Sequence, residues 1–474
     1  MDRKQQEKQA RRRWVRRVRD IKVTAFFGFL IVMGLIGLMW FARPSTSKVE
    51  KRDLAKFPTL TWSGFWDGTF FSDVDTWYSD TFPLREILIS MNTKFKNLYG
   101  IRSVQLVGNT GGQTADDIPT GDVTIPDANE TPEPDNTTPD ETGSPGTDPD
   151  ANLPADGGGT ITAPLETAGS IYIADHCGFG LYYFNQDSAV RYCSYVNNLA
   201  KNLNGSSNLY CLLAPISAGV MLDQSVLDSV GASDENEATK WIYSQLDKSV
   251  KPISVFDTLK AHNGEYIYFH TDHHWTALGA YYAYREYCKL KNMTPHELTD
   301  FETMTFDGFL GTFYAKSEKS PELGANPDTV TAYIPNGTNT AETYMKDNGG
   351  WTKFTWPIVN DVSDYAKSEL YATFSVGDQP FNVAHNEKIT DGSSVLVVKN
   401  SYGNAFIPFL VDHYEYIYWI DFRYYQDYCA YVGETNNTIS TFAKANSIDD
   451  IILLTDISAT GNEVLLDPMQ KVFQ

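Results

Sequence analysis

The 474-residue chain predicts an α/β fold: a parallel sheet covered by helices on both faces, preceded by an N-terminal transmembrane helix. Three observations carry this. Short apolar runs such as 208–214 (NLYCLLA) and 394–398 (SVLVV) alternate with amphipathic stretches of helical period, the pattern of strands buried on both faces and of the helices that bury them. Residues 23–41 carry no charged side chain, a length of roughly 28 Å as a helix, close to the hydrocarbon thickness of a bilayer. Finally, three of the eight histidines fall within 270–276 (HTDHHWT), just past a strand-like run, where an α/β sheet collects its functional residues.

The N-terminal elements come first. Residues 1–22 hold ten Lys/Arg against three acids, a basic tail that stays in the cytoplasm and sends the rest of the chain outside. The apolar run is longer than the roughly 7–15 residues of a cleaved signal peptide, so an uncleaved signal anchor is expected, with a single pass through the cell membrane and an extracellular C-terminal domain. The whole chain carries −22 and the tail +7, leaving −29 beyond residue 22. A domain that acidic excludes nucleic acid and other phosphate-rich partners. The five cysteines, 177, 193, 211, 288 and 429, include no CxxC and are odd in number, which is no disulfide framework.

Residues 42–111 read as the start of the extracellular domain, with a helix over 67–78, a second from Pro83 to about 98 and a strand at 104–108. Residues 112–168 contain nine of the 22 prolines, no Lys or Arg and few large apolar side chains. Such a segment has too little to bury to offset its ordering entropy, so a disordered acidic insert is expected. The main part of the domain, 169–474, reads as strands at 171–174, 181–184, 208–214, 252–256, 266–269, 394–398, 416–421 and 450–455. Helices are expected over 188–203, 234–248, 275–288, 405–410 and 439–445, and 300–385 reads as a less regular lobe.

Two segments follow predicted strands. One is Tyr266-Ile267-Tyr268-Phe269 running into His270-Thr271-Asp272-His273-His274-Trp275-Thr276; the other is Val395-Leu396-Val397-Val398 running into Lys399-Asn400-Ser401-Tyr402-Gly403-Asn404. In the second, a sharp polar turn presents Ser401 at the foot of a helix, with the N–H groups of Tyr402 and Gly403 available for an oxyanion and Asn400 capping the turn. A serine hydroxyl attacks well only when a base takes its proton, and that base must be oriented by a third group. Ser401 as nucleophile, His274 as base and then acid, and Asp272 as orienter form such a set. Trp275 wedges the loop, and His273 orders it or faces the substrate. The plainer alternatives are an Asp272 that only caps the helix after it and a Ser401 that only belongs to a capped turn. His270, Asp272, His273 and His274 are also metal-ligand types, but a strand at 269–271 and adjacent histidines pointing apart argue against a metal. No cofactor is expected.

The segments TDHHWTALGAYYAY and VVKNSYGNAFIPFLVDHYEYIYWIDFRYY resemble the bacterial DHHW proteins, relatives of the alginate O-acetyltransferases with an SGNH-hydrolase-like domain. The resemblance extends to 54–58, 62–85 and 377–380. It implies an SGNH-like sheet and acyl transfer to, or removal from, a cell-envelope or exported polysaccharide. It also implies an acyl group, most simply acetyl, delivered by a membrane-embedded partner protein. The family's Asp-x-His-Trp motif falls on Asp272, His274 and Trp275, and its nucleophile on Ser401. His273 marks the subgroup, Tyr402 lines the acyl pocket, and Asn400 stands where many SGNH-like enzymes carry Asp. An esterase with the same triad, or an inactive surface glycan-binding scaffold, are the alternatives.

Overall fold

The computed structural model describes residues 171–347 and 350–474 throughout, and scattered residues between 43 and 168. Two compact units, 1–103 and 104–474, make up the chain. In the first, Thr46–Ser47 pairs antiparallel with Arg52–Asp53, residues 70, 71, 74, 77 and 78 are helical, and the Arg43 guanidinium lies 4.0 Å over the Trp77 ring. The helix expected from Pro83, the strand at 104–108 and most of the 112–168 insert lie outside the described residues.

The expected transmembrane helix over 23–41 and its basic tail also lie outside them, and among the described residues no helix is long and apolar enough to cross a membrane. An uncharged run is not in itself a spanning element; a continuous hydrogen-bonded helix of about 20 residues is required. The fold is therefore corrected to an α/β sheet with flanking helices and no membrane-spanning helix among the described residues. The single-pass anchor, the extracellular placement and the membrane-embedded partner drawn from it lose their support.

The second unit is built on an eight-stranded sheet. Its strands, in chain order, are β1 (Asn208–Ala214), β2 (Val250–Pro252), β3 (Thr340–Asp347), β4 (Gly350–Pro357), β5 (Phe381–His385), β6 (Ser394–Lys399), β7 (Tyr416–Asp421) and β8 (Asp450–Asp456). Their spatial order is β4-β3-β5-β7-β6-β8-β1-β2. The sheet is mixed, a second correction: β7, β6, β8, β1 and β2 are mutually parallel, whereas β5, β3 and β4 extend it antiparallel. Burial explains the difference. All six residues of β6 are buried and β8 and β1 are nearly so, as strands covered on both faces must be. The β3–β4 hairpin is far less buried: β3 alternates exposed and buried positions over its first four residues (TAET), and β4 (GWTKFTWP) is half-buried or exposed beyond Gly350, as in a ribbon with one wet face. The lobe at 300–385 is thus not irregular. It also holds the antiparallel pair Glu302–Phe309 and Asp328–Ile334.

Helices fall where their caps stand. The helix α1 (Gln186–Leu203) opens on Asn185, whose side chain accepts from Ser188 N at 2.9 Å, and closes on Asn204 in the left-handed region. The helix α2 (Glu235–Ser244) is capped by Asp234, and α3 (Ala277–Lys291) by Thr276, so Trp275 lies just before it. Expected strands at 181–184, 252–256 and 266–269 are not formed. Val250–Pro252 pairs instead, Phe256 opens a short helix, and Tyr268 makes an isolated bridge to Trp275. All five cysteines are free.

The C-terminal turn of α3 is locked to the sheet. Lys291 Nζ lies 2.6 and 2.8 Å from the two oxygens of Asp450, fully buried at the start of β8, which also accepts from Tyr414 OH at 2.8 Å. Removing one partner of a buried pair leaves an uncompensated charge. Lys291→Ala is expected to lower the unfolding free energy by about 1–3 kcal/mol in a urea titration, and an unchanged midpoint would refute the lock.

Candidate active site

The end of β6 and the segment after it form one rigid turn. Lys399 ends the strand, and Ser401–Ala405 is a single 3-10 turn capped by Asn400, whose Oδ1 accepts from Tyr402 N at 3.2 Å. Asn400 Nδ2 donates to Asp456 Oδ2 at 2.7 Å, tying the turn to the end of the neighbouring strand β8. A Cβ on Gly403 would sit 2.6 Å from Lys399 Cβ, so only glycine lets the chain fold back this tightly.

The second segment, 270–276, is held from beneath. Asp328, 2% exposed, accepts from His270 N at 2.8 Å, Thr271 N at 2.7 Å, the Thr271 hydroxyl and the Tyr266 hydroxyl. Thr271 O in turn accepts from Tyr314 N at 3.0 Å. Asp272, also 2% exposed, spends one oxygen on Thr312 N at 2.7 Å. The backbone at 311–312 comes so close that a Cβ on Gly311 would lie 2.3 Å from the Asp272 side chain.

These two segments meet. Asp272 Oδ1 lies 2.6 Å from His274 Nδ1 and accepts from His274 N at 3.1 Å, and His274 Nε2 lies 2.7 Å from Ser401 Oγ. The three side chains form one continuous hydrogen-bonded line across 127 residues of sequence between His274 and Ser401. Tyr371 stacks on the imidazole, with centroids 4.0 Å apart and planes 7° from parallel, and donates its hydroxyl to Ser401 O at 2.9 Å. Trp275, fully buried, donates Nε1 to Tyr402 O at 2.9 Å, and the Tyr402 hydroxyl returns a bond to His273 O. Loop and turn are thus cross-braced on both sides of the triad.

Not every expected role survives. The N–H of Tyr402 is taken by the Asn400 side chain and that of Gly403 by Asn400 O at 3.1 Å, so the two donors assigned to an oxyanion are engaged. The N–H of Ser401 itself opens the turn, where no intrahelical acceptor exists, and none is assigned to it among the described residues. His273 does not touch Ser401; its Nδ1 pairs with Thr312 Oγ1 at 2.7 Å. Asp272, His273 and His274 offer atoms within 4.8 Å of one another, a spacing three ligands could share. Both His274 nitrogens are already bonded to Asp272 and Ser401, so a cation there would compete with the serine. His270 stands apart, beside Asn326 at 3.2 Å.

Sequence reasoning missed Asp328, Thr312, Gly311, Tyr371 and Asp378. All five lie in 300–385, the region read as less regular, and of them only Asp378 sits in a stretch of the resemblance, 377–380, where it had been given no role. The one available signal was a strand-turn such as Phe309-Leu310-Gly311-Thr312, which marks a close backbone approach.

Charge is distributed accordingly. Burial alone would push the Asp272 carboxyl up, but His273, His274 and two hydrogen bonds outweigh it and hold the group well below the usual carboxylate range. Desolvation in the crowded site, with His274 adding to it, pushes His273 down to about 3, although over a third of its side chain is exposed. Both shifts have one sign. The folded state binds fewer protons than the unfolded chain, for His273 between its ordinary 6.5 and about 3 and for Asp272 below its ordinary 3.8, so stability is lost as pH falls through those windows. Replacing His273→Gln is expected to flatten the decline of the thermal midpoint between pH 6.5 and 4; an unaltered pH profile would show that His273 stays freely protonated. In the segment packed against that loop, Gly311→Ala is expected to disrupt the Asp272 carboxylate's contacts and cost about 1–3 kcal/mol, read as a lowered thermal midpoint.

The profile of the DHHW protein family matches residues 50–138 and 135–420, most of the chain, and the chain belongs to that family. A DHHW family protein from Eubacterium siraeum is 29% identical, with a TM-score of 0.56 over 66% of this chain and 98% of its own. PatB1 of Bacillus cereus, solved with a sulfonyl adduct, is 17% identical at a TM-score of 0.50, covering 62% of this chain and 98% of PatB1; at that identity the likeness concerns the fold. None of the curated proteins matches the chain. The chain thus shares its family with the Eubacterium siraeum protein and its fold with PatB1.

Proposed function

We propose that this member of the DHHW family is a serine-dependent O-acetyltransferase that moves an acetyl group, through an acetyl-Ser401 intermediate, onto a hydroxyl of a carbohydrate. The observation that carries the reading is the Asp272–His274–Ser401 line, with spacings of 2.6 and 2.7 Å. Those distances are within reach for proton transfer without any movement of the loop.

In the first step His274 Nε2 takes the Ser401 proton while Oγ bonds to the acetyl carbon. The Asp272 carboxylate, held ionised, keeps Nδ1 protonated and faces the imidazolium as it forms. The N–H of Ser401, without an acceptor among the described residues, serves as a backbone donor to the developing oxyanion. Collapse breaks the bond to the leaving group, which departs with the proton from His274. In the second step an acceptor hydroxyl gives its proton to His274 and its oxygen bonds to the acetyl carbon. The bond to Ser401 Oγ then breaks, and the serine recovers the proton. Water in the acceptor's place makes the same machinery an esterase.

Sulfonyl fluorides and activated esters both report a serine whose hydroxyl has a working base. The full chain incubated with p-nitrophenyl acetate is expected to gain one acetyl group by intact mass, located at Ser401. Ser401→Ala should abolish the adduct, and His274→Ala and Asp272→Asn should slow its formation on the order of 10,000-fold. Adducts that persist in Ser401→Ala would sink the assignment, as would undiminished rates in the other two. Release of acetate that no carbohydrate accelerates would favour the esterase.

A further inference from the structure

Against the turn that carries Ser401 stands a carboxylate that the triad does not use. Ser375, Val376 and Gly377 have φ of 48, 63 and 75°, three successive residues in the left-handed region that side chains, β-branched ones above all, avoid. The turn is pinned from three sides. Ser375 N donates to Ile358 O at 2.7 Å, Ser375 Oγ to Asn404 O at 2.7 Å, and Trp419 Nε1 to Ser375 O at 3.2 Å. Its product is the placement of Asp378 against the turn that carries Ser401.

Three cationic or amide groups hold that carboxylate. Asn404 Nδ2, on the Ser401 turn, donates to Asp378 Oδ1 at 3.0 Å; Lys399 Nζ lies 3.4 Å from the same oxygen, and Arg423 reaches Oδ2 at 2.9 Å. Burial would raise its pKa, but Arg423 and Lys399 outweigh it and keep Asp378 ionised, and His274 is near enough to contribute. The brace within the fold is supplied one layer down, where Lys399 and Asp421 pair at 3.4 Å with both side chains fully buried. Asp378, by contrast, has 37% of its side chain exposed. The Asn404 amide that donates to it has its own Oδ1 buried without a hydrogen-bond partner among the described residues. Asn404 lies on the Ser401–Ala405 turn, so against that turn stands an ionised carboxylate that is partly exposed and open to further donors.

We infer that Asp378 binds the acceptor of the transfer proposed above. It accepts hydrogen bonds from the hydroxyl or ammonium groups of a neutral or amino sugar beside the reacting hydroxyl, and it disfavours uronate- and phosphate-bearing acceptors. The inference rests on Ser401 being the acylated residue.

The two can fail separately. The full chain is acetylated with p-nitrophenyl acetate, freed of ester, and the loss of the acetyl group is timed by intact mass. The probes are cello-oligosaccharides, chitosan oligomers and polygalacturonate oligomers. The wild type is expected to lose acetyl faster with the first two than with the third. In Asp378→Asn the concentration of chitosan or cello-oligomer for half-maximal release should rise about tenfold or more, out of proportion to any change in release to water, and the bias against polygalacturonate should shrink. Asp378→Glu, which keeps the charge, should recover part of the preference. Equal slowing of water and sugar in Asp378→Asn would reduce Asp378 to a brace and overturn the proposal. So would a wild type that prefers the acidic oligomer or responds to no acceptor, a result that needs no folded variant. A Ser401 that never acetylates removes the transfer reading itself.

Discussion

A carboxylate taken out of water must find hydrogen-bond donors for both oxygens, and at Asp272 that requirement gathers the site. Its donors come from its own loop, through His274 N and Nδ1, and from the distant backbone at Thr312. Satisfying it fixes the imidazole in the orientation that points Nε2 at Ser401. The same rule operates a few residues away in space at Asp328, which absorbs two successive backbone N–H groups and two hydroxyls and so decides the path of the chain into the loop. Two buried acidic side chains thus position a third group, and the glycine at 311 leaves the room that makes the packing possible.

The sheet gives this arrangement its stiffness. The buried parallel strands β6, β8 and β1 end side by side, and the turn after β6 is tied to the end of β8 through Asn400 and Asp456. Stacking of Tyr371 on His274 and the exchange of bonds between Trp275, Tyr402 and His273 brace loop against turn. Asp272, His274 and Ser401 are thus each held by neighbours, and under the function proposed above they would meet a substrate preorganised, the condition from which most of the electrostatic advantage of such sites originates. The antiparallel ribbon β3–β4 lies at the far edge, with one wet face, and contributes width to the sheet.

The candidate site was legible in the sequence to an uneven degree. Ser401 could be found because a continuous apolar strand stops at a polar turn, a local event. Asp272 and His274 stood out through spacing of residue types whose chemistry is cooperative. The N–H groups of Tyr402 and Gly403, expected to be open to an oxyanion, are engaged because Asn400 does more than cap: its side chain and carbonyl occupy the next two N–H groups after Ser401. Asp328 was invisible, and Asp378 had no visible role within its stretch of the resemblance, because an Asp in a polar stretch looks like any solvated acid until its donors are known.

Period and spacing, which are local, were enough to read the strands β1, β6, β7 and β8 and the capped helices, and to single out Asp272, His274 and Ser401 as candidates. They could not reveal that the sheet is mixed, nor which of its neighbours each strand would take, because register between segments far apart in sequence is set by packing rather than by either segment's pattern. An uncharged run of 19 residues looked like an anchor on composition, yet no membrane-spanning helix stands among the described residues. The meeting of His274 with Ser401, and the ring of buried donors that holds it there, belongs to the assembled fold, since only close packing tells a buried carboxylate which distant groups it must satisfy.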